Sequence, residues 1–327
     1  MSNQILGLHH ITAIAGNAKR NFDFYTGVMG LRLVKKTVNF DDPGTYHFYY
    51  GNETGAPGTI LTFFPWEGIR QGRAGTGMAT DIGYAVPAGS LEFWQERFKE
   101  HKVKFEPVEE SFGEQFLPFR DPDGLRLRLI TPAAQDQRKP WETADVQANV
   151  ATRGFHNVVL TLQKIEPTAE ILTDILGYRL LKQEGNTYRF INDAVDAAAI
   201  VDLVASPAEP AGINAAGTNH HIAFRVKNDD VLMEYREKVA SKGLGITPKI
   251  IIAPDVETPD VVEALAAVCK KLRAYSYITP RDEDAEMLET ADLVVAYRDQ
   301  LAHREIEIIW PEFTSGNVFL GAENSGE

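Results

Sequence analysis

The sequence contains a single cysteine, Cys269, among its 327 residues. One thiol excludes an intramolecular disulfide, and it excludes a zinc or iron–sulfur site built from cysteines. Such scarcity is typical of proteins that work in a reducing compartment, so the cytoplasm is the expected location.

Long hydrophobic runs and clusters of positive charge are also missing. No run approaches the roughly 18 apolar residues that read as a membrane-spanning helix, so we expect no membrane partner. The first eight residues lack the basic and apolar segments of an export signal. With 33 Lys and Arg against 46 Asp and Glu, the net charge is −13. This charge repels phosphate backbones, so nucleic acid is not an expected partner.

An internal repeat organises most of the chain. The segment Gly30–Lys35 (GLRLVK) recurs as Gly177–Lys182 (GYRLLK), and the same offset aligns Leu8–Ile11 with Phe155–Val158. Each segment belongs to a unit that reads as a strand, a helix ended by glycine, and further strands.

Two further units open alike, with Asp81–Val86 and His221–Val226, followed by predicted helices at Leu91–Glu100 and Asp230–Ser241. The sequence therefore predicts an α+β fold of four units that start near residues 5, 79, 153 and 218.

The helix of the first unit is predicted from about Ala18 to Met29. Phe22, Tyr25 and Val28 follow helical spacing there, which places these three side chains on one face of the helix.

At one equivalent position the four opening strands carry His10, Asp81, Asn157 and His221. His10 or His221, taken alone, is compatible with an ordinary residue of the core or of a sheet edge. Histidine at the same position of two units favours a pair of metal ligands, and a carboxylate would complete the triad of non-haem Fe(II) oxygenases.

Each of these histidines follows another, His9 before His10 and His220 before His221. Successive side chains of a strand alternate between faces. One histidine of each pair is therefore expected inside the cup, and the other points away or supports the first.

Four segments resemble the hydroquinone-type ring-cleaving dioxygenases of the vicinal oxygen chelate superfamily: Gly7–Thr12, Asn21–Tyr25, Gly30–Asp42 and His220–Val226. The resemblance covers about residues 1–248. It implies βαβββ modules, a mononuclear Fe(II) cofactor, and O₂-dependent opening of a dihydroxylated aromatic ring. It also implies that modules one and four share the metal cup.

Carried over by motif, the resemblance implies roles for five residues. His10 and His221 match the metal ligands. His9, Thr12 and His220 match catalytic positions that contact the substrate or support the ligands. An imidazole such as His9 or His220 suits acid–base chemistry on a substrate hydroxyl.

After Pro248 the expected end of module four does not follow. Strands and helices instead alternate, which predicts an α/β segment: a strand within Lys249–Pro254, a helix at Asp260–Arg273, a strand at Ala274–Ile278, a helix at Asp282–Leu301 and a strand at Glu305–Trp310. This tail, about 249–320, resembles the contractile phage tail sheath protein, a structural and self-assembling family. Two unrelated resemblances that meet near Thr247 indicate a chimera.

These patterns predict the domain boundaries and the third ligand. Modules one and two occupy 1–133, a linker 134–152, module three and the start of module four 153–248, and the tail 249–327. Glu307 is the candidate carboxylate ligand; Glu305 on the same strand face, or no carboxylate at all, are the alternatives.

Three functions compete at this point. The leading hypothesis is an Fe(II)-dependent dioxygenase that acts on a small aromatic diol with O₂, impaired by its unusual tail. The second is a catalytically inactive scaffold with an assembly module. The third is a glyoxalase-like metal isomerase or lyase. The chain could also form a homo-oligomer. His47 is either part of the lining of a ring-binding pocket or a core residue.

Overall fold

Contacts divide the chain into two units, residues 1–235 and 236–327. The structure is a computed structural model. It describes residues 5–39, 42, 44–242, 259–272, 276–278, 280–282, 284, 286, 288, 290–300 and 306–308.

The first unit is mostly sheet. Its strands are β1 (Ile5–Ala15), β2 (Arg32–Val38), β3 (Tyr46–Gly51), β4 (Ile60–Pro65), β5 (Met78–Ala85), β6 (Lys104–Phe105), β7 (Glu109–Ser111), β8 (Glu114–Arg120), β9 (Arg126–Thr131), β10 (Gly154–Leu162), β11 (Arg179–Glu184), β12 (Thr187–Ile191), β13 (Ile200–Ala205) and β14 (Thr218–Val226). Its helices are α1 (Ala18–Phe22), α2 (Leu91–Glu100), α3 (Glu166–Glu170) and α4 (Asp229–Ser241). α4 includes residues of both units. α1 and α3 continue into π-helical turns at Asp23–Val28 and Ile171–Ile175.

Three βαβββ modules are visible in the strand pairing. In each module the first strand pairs in parallel with the last, as β1 with β4, β5 with β9 and β10 with β13. The helix of each module provides the long connection from its first strand to the rest. The fourth module contributes β14 and α4 among the described residues.

The modules combine in pairs. Modules one and four share the sheet of order β14-β1-β4-β3-β2, and modules two and three share the sheet of order β11-β12-β13-β10-β5-β9-β8-β6. In each sheet the two opening strands pair antiparallel, β1 with β14 and β5 with β10. The predicted α+β fold of repeated βαβββ modules is thus confirmed. We call the sheet of modules one and four the first cup and the sheet of modules two and three the second cup.

The π-helical turn after α1 changes which side chains are buried. Asn17 caps α1 by accepting the Arg20 N–H at 2.8 Å. The wider turn that follows rotates the later residues around the axis. Phe22 is therefore 40% exposed, whereas Phe24 and Tyr25 are buried. Phe22 and Tyr25, which helical spacing places on one face, therefore differ in burial.

The segment predicted as a linker, 134–152, is irregular but held against the modules. Arg138 donates to the carbonyl oxygens of Gly58 at 3.0 Å and Phe155 at 2.7 Å. Val146 is fully buried against Gly30. A Cβ atom added to Gly30 would lie only 2.9 Å from the Val146 side chain. The predicted domain boundaries themselves stay predictions.

In the second unit, helices and strands alternate as α5 (Pro259–Leu272), β15 (Ser276–Ile278), α6 (Ala291–Gln300) and β16 (Ile306–Ile308). β15 and β16 pair in parallel, with α6 between them in the chain. The predicted strand within Lys249–Pro254 lies outside the described residues.

One helix of this unit is shorter than predicted. The Asp282 carboxylate accepts the N–H groups of Asp284 at 3.0 Å and Glu286 at 2.9 Å, which holds a turn. The predicted helix from Asp282 therefore begins only at Ala291, because the side chain competes for the backbone donors. None of the helices in the described ranges has the length and apolar character that a membrane crossing requires.

Candidate metal and substrate site

Pairing of β1 with β14 brings together two histidines that are 211 positions apart in the chain. His10 Nε2 lies 3.2 Å from His221 Nε2. Two imidazole nitrogens bound to one ion, each at about 2.0–2.2 Å, lie roughly 3–4 Å apart. The two rings are therefore spaced as a shared metal would require.

A β-bulge re-aims the first pair of histidines. Leu8 pairs with Phe224 and His10 with Ala223, so His9 is the extra residue of β1. Such a bulge breaks the alternation of faces. Of the two expectations for the neighbouring histidine, contact with His10 is the one observed: the Nδ1 atoms of His9 and His10 are 3.0 Å apart.

β14 carries the matching bulge. Thr12 pairs with His221 and Ala13 with Asn219, which leaves His220 as the extra residue. The Nδ1 atoms of His220 and His221 are 2.8 Å apart. Both histidine pairs therefore have the same construction on opposite strands.

These contacts bear on the tautomers of the candidate ligands. One nitrogen of each close pair must donate and the other must accept. For His10 Nε2 to present its lone pair to a metal, His10 Nδ1–H must donate to His9 Nδ1. The same holds for His221 and His220. His9 and His220 thus occupy the place of the acceptor that normally orients a metal-bound imidazole.

Burial keeps the site imidazoles neutral. Burial, then the neighbouring His221 and His9, lowers the pKa of His10 to about 4. Burial, followed by His220, also lowers the pKa of His221. Neutral imidazole is the form that binds a metal, so both histidines are ready to act as ligands near neutral pH.

A chain of hydrogen-bonded side chains leads away from this pair. Thr12 Oγ1 lies 3.0 Å from His221 Nε2 and 2.7 Å from Thr62 Oγ1. Thr62 Oγ1 lies 2.9 Å from His47 Nε2, and His47 Nδ1 lies 2.9 Å from the Tyr49 hydroxyl. Thr12 and Thr62 are almost fully buried, so the chain is shielded from water.

The sequence leaves the role of His47 open and does not indicate Thr62. Thr62 lies on β4, which pairs with β1, and His47 lies on β3, which pairs with β4. The available signal was a polar residue within each of two aromatic strands, Tyr46–Gly51 and Ile60–Pro65.

Aromatic rings line the same end of the cup. The Phe64 ring centre lies 5.5 Å from that of His220 and 4.3 Å from that of His47. The Trp66 ring lies 5.3 Å from Phe64, and its Nε1–H donates to Asp42 Oδ2 at 2.9 Å. These rings offer apolar faces beside the histidines.

No carboxylate whose side chain the structure describes completes the pair. Among those residues no group of three or more His, Cys, Asp or Glu side chains converges as a metal site requires. Glu305 lies outside the described residues, and Glu307 lies on β16 in the second unit. Its role as the third ligand stays a prediction.

The second cup has no histidine at the positions equivalent to His10 and His221. Asp81 and Asn157 stand there in place of His221 and His10. Arg126 and Arg128 each approach Asp81 at 3.1 Å, which engages its carboxylate.

The other side of the second cup is closed by buried contacts. Asn157 Nδ2 donates to Asp202 at 2.6 Å, and Arg189 pairs with Asp202 at 2.9 Å and with Glu114 at 2.6 Å. In the second cup, guanidinium groups thus supply the positive charge beside the carboxylates that a metal would otherwise supply.

Comparisons with known proteins assign the chain to a family. Residues 7–129 match the glyoxalase/bleomycin resistance protein/dioxygenase superfamily. MhqO of Bacillus subtilis (strain 168), which carries the name of a ring-cleaving dioxygenase, is 43% identical over 248 residues, 76% of this chain and 78% of that protein. The chain belongs to the glyoxalase/bleomycin resistance protein/dioxygenase superfamily.

Two further relatives point to the dioxygenase branch of this superfamily. The chlorohydroquinone/hydroquinone 1,2-dioxygenase of Sphingobium indicum is 34% identical, over 76% of this chain and 78% of that enzyme. A crystal structure of a Bacillus subtilis protein named as a dioxygenase matches with a TM-score of 0.70 at 42% identity, over 74% of this chain and 77% of that one.

A second, partial similarity is of a different kind. The tail sheath protein of Escherichia phage P2 is 42% identical over 69 residues, which are 21% of this chain and 16% of that protein. The predicted resemblance of part of this chain to a phage tail sheath protein is thus confirmed.

The neutral state of His47 predicts a pH dependence of stability. Burial, then His10, His221 and Lys35, lowers the pKa of His47 from 6.5 to about 4. Between these values the unfolded chain binds a proton at His47 and the folded chain does not. The free energy of unfolding therefore falls as the pH is lowered, by about 1.4 kcal/mol per pH unit for this proton.

His47→Gln removes that proton, so we expect the slope between pH 6 and 4.5 to become shallower by about the same amount. Urea unfolding of both proteins at several pH values measures it. His101→Gln, at an exposed position outside the network, is the matched control. Parallel slopes for wild type and His47→Gln would show that His47 is protonated normally in the folded chain.

Proposed function

We propose that the first cup holds Fe(II) through His10 and His221 and opens a dihydroxylated aromatic ring with O₂. The observation that carries the proposal is the convergence of two neutral imidazoles at 3.2 Å on paired strands. Kinship with ring-cleaving dioxygenases supports the choice of reaction. When bound, the iron would supply a common site for the substrate oxygens and O₂ and a route for electrons between them.

The residues around the ligands would hold the ligands in place. His9 and His220 accept the Nδ1–H of their neighbours, so that both Nε2 lone pairs point to the same place. Removal of such a partner usually weakens metal binding by about 10–100-fold. We assign both histidines a positioning role, which leaves their Nε2 atoms available for acid–base work.

Thr12 would handle the proton of a substrate hydroxyl. Its Oγ1 contacts His221 Nε2, the atom proposed to bind iron. A proton accepted there has a continuous hydrogen-bonded path through Thr62 Oγ1 to His47 Nε2. A small aromatic diol also fits the rings of Phe64 and Trp66, which can pack on its faces.

The reducing chemistry of the proposed site suits the cytoplasm, since Fe(II) must stay reduced and the single cysteine favours a reducing compartment.

The lack of an identified carboxylate ligand sets the expected activity of this chain. Two imidazoles without a carboxylate hold Fe(II) more weakly than a complete triad. We therefore expect low iron occupancy and slow turnover.

Metal affinity tests the roles of the four histidines without relying on turnover. Anaerobic titration with Fe(II) should show binding that is lost in His10→Ala and His221→Ala. The His9→Ala and His220→Ala proteins should bind about 10–100-fold more weakly than wild type. His101→Ala, an exposed histidine, is the control. Equal affinities of wild type and all four variants would disprove the assignment.

Two carboxylate variants decide the third ligand. Glu307→Ala and Glu305→Ala are compared with wild type for bound iron and for hydroquinone-dependent O₂ uptake. Unchanged, low values in both variants are expected if no carboxylate joins the site. Loss of iron and O₂ uptake in Glu307→Ala alone would assign Glu307 as the ligand. A chain with no iron and no O₂ uptake under any condition would favour the scaffold hypothesis.

A further inference from the structure

We propose that the second cup binds a small organic carboxylate. Its open side is a cleft of about 220 Å³ between β5, β6, β8 and β9. Four cationic side chains line it: Lys104, Arg120, Arg126 and Arg128. The proposal concerns a site separate from the histidines and does not depend on the proposed dioxygenase activity.

The strand register explains why the cations share one face. Arg126 and Arg128 are two residues apart on β9, so their side chains point to the same side. Arg120 on β8 is directly opposite Arg126 in the antiparallel pair. Like charges in directly opposite positions destabilise a sheet unless a counter-charge lies between them.

The carboxylates present neutralise this charge only in part. Asp81 is 4% exposed and pairs with both Arg126 and Arg128. Glu106 and Glu109 also line the cleft, but both are exposed. Four cations against three carboxylates leave a surplus of one positive charge in a chain whose net charge is −13. A monoanion balances that surplus.

Donors remain available for such an anion. A guanidinium has five N–H donors. Arg128 uses its Nε and Nη2 atoms on Asp81 Oδ1, and Arg126 approaches Asp81 through Nη2 alone. Among the residues that the structure describes, Arg120 and Lys104 have no side-chain hydrogen bond or ion pair. Planar guanidinium groups match the two oxygens of a carboxylate.

The remaining walls favour an organic anion of small size. Phe116 and Pro118 line the cleft, and the Arg128 guanidinium lies 5.0 Å from the Phe116 ring centre. Pockets for drug-sized ligands have volumes of about 300–1,000 Å³, so 220 Å³ suits a smaller molecule. A single aromatic ring with one carboxylate combines the required charge, size and apolar surface.

Benzoate is the probe, titrated calorimetrically into the full chain in the presence of a chelator so that no metal contributes. We expect saturable one-to-one binding that weakens as salt is raised. Benzamide, which has nearly the same shape and no charge, should bind at least 10-fold more weakly.

Arg120→Gln and Arg126→Gln should each weaken benzoate binding about 10-fold or more. Arg120 is exposed and lacks a partner among the described side chains, so its variant is expected to fold even if Arg126→Gln destabilises the sheet. Arg179→Gln removes an exposed arginine that pairs with Asp193 outside the cleft, and is the matched control.

Three results would overturn the proposal. The first is no saturable binding of benzoate up to about 10 mM, at either of two temperatures. The second is equal binding of benzoate and benzamide. The third is benzoate binding that survives Arg120→Gln but is lost in His10→Ala, which would place the ligand in the first cup.

Discussion

The antiparallel pairing of β1 with β14 is the constraint on which the candidate site depends. It joins the opening strands of modules one and four and sets His10 Nε2 3.2 Å from His221 Nε2. A bulge in each strand then places His9 and His220 against these two residues. A slip of one residue would move the imidazoles to opposite faces. The register of this one ladder therefore decides whether a metal can be shared.

The second cup is the internal comparison for this account. It has the same module pairing, yet Asp81 and Asn157 replace the histidines and arginines surround them. Since the backbone arrangement is shared, the chemistry of each cup follows from a few side chains: neutral imidazoles favour a cation, and surplus guanidinium charge favours an anion. Fold alone does not separate these functions. We propose that one duplicated scaffold carries two different kinds of ligand site.

The repeat made much of the fold predictable, including helix α2 at Leu91–Glu100 and the meeting of His10 with His221. These features depend on local periodicity and on equivalence between units. The bulges at His9 and His220 were not predictable, because an extra residue is defined only by the partner strand. The same holds for His47 and Thr62, which join the site through neighbouring strands. The exposure of Phe22 follows from a π-helical turn that helical spacing does not reveal.

We infer that His10 and His221 bind one metal together. X-ray absorption at the iron edge, on the full chain loaded anaerobically with Fe(II), counts imidazole ligands directly. Two imidazoles are expected on the iron in the wild-type chain. Any iron retained by His10→Ala or His221→Ala should carry a single imidazole. A wild-type spectrum without imidazole scattering, or one that neither substitution changes, would show that the two histidines do not share a metal.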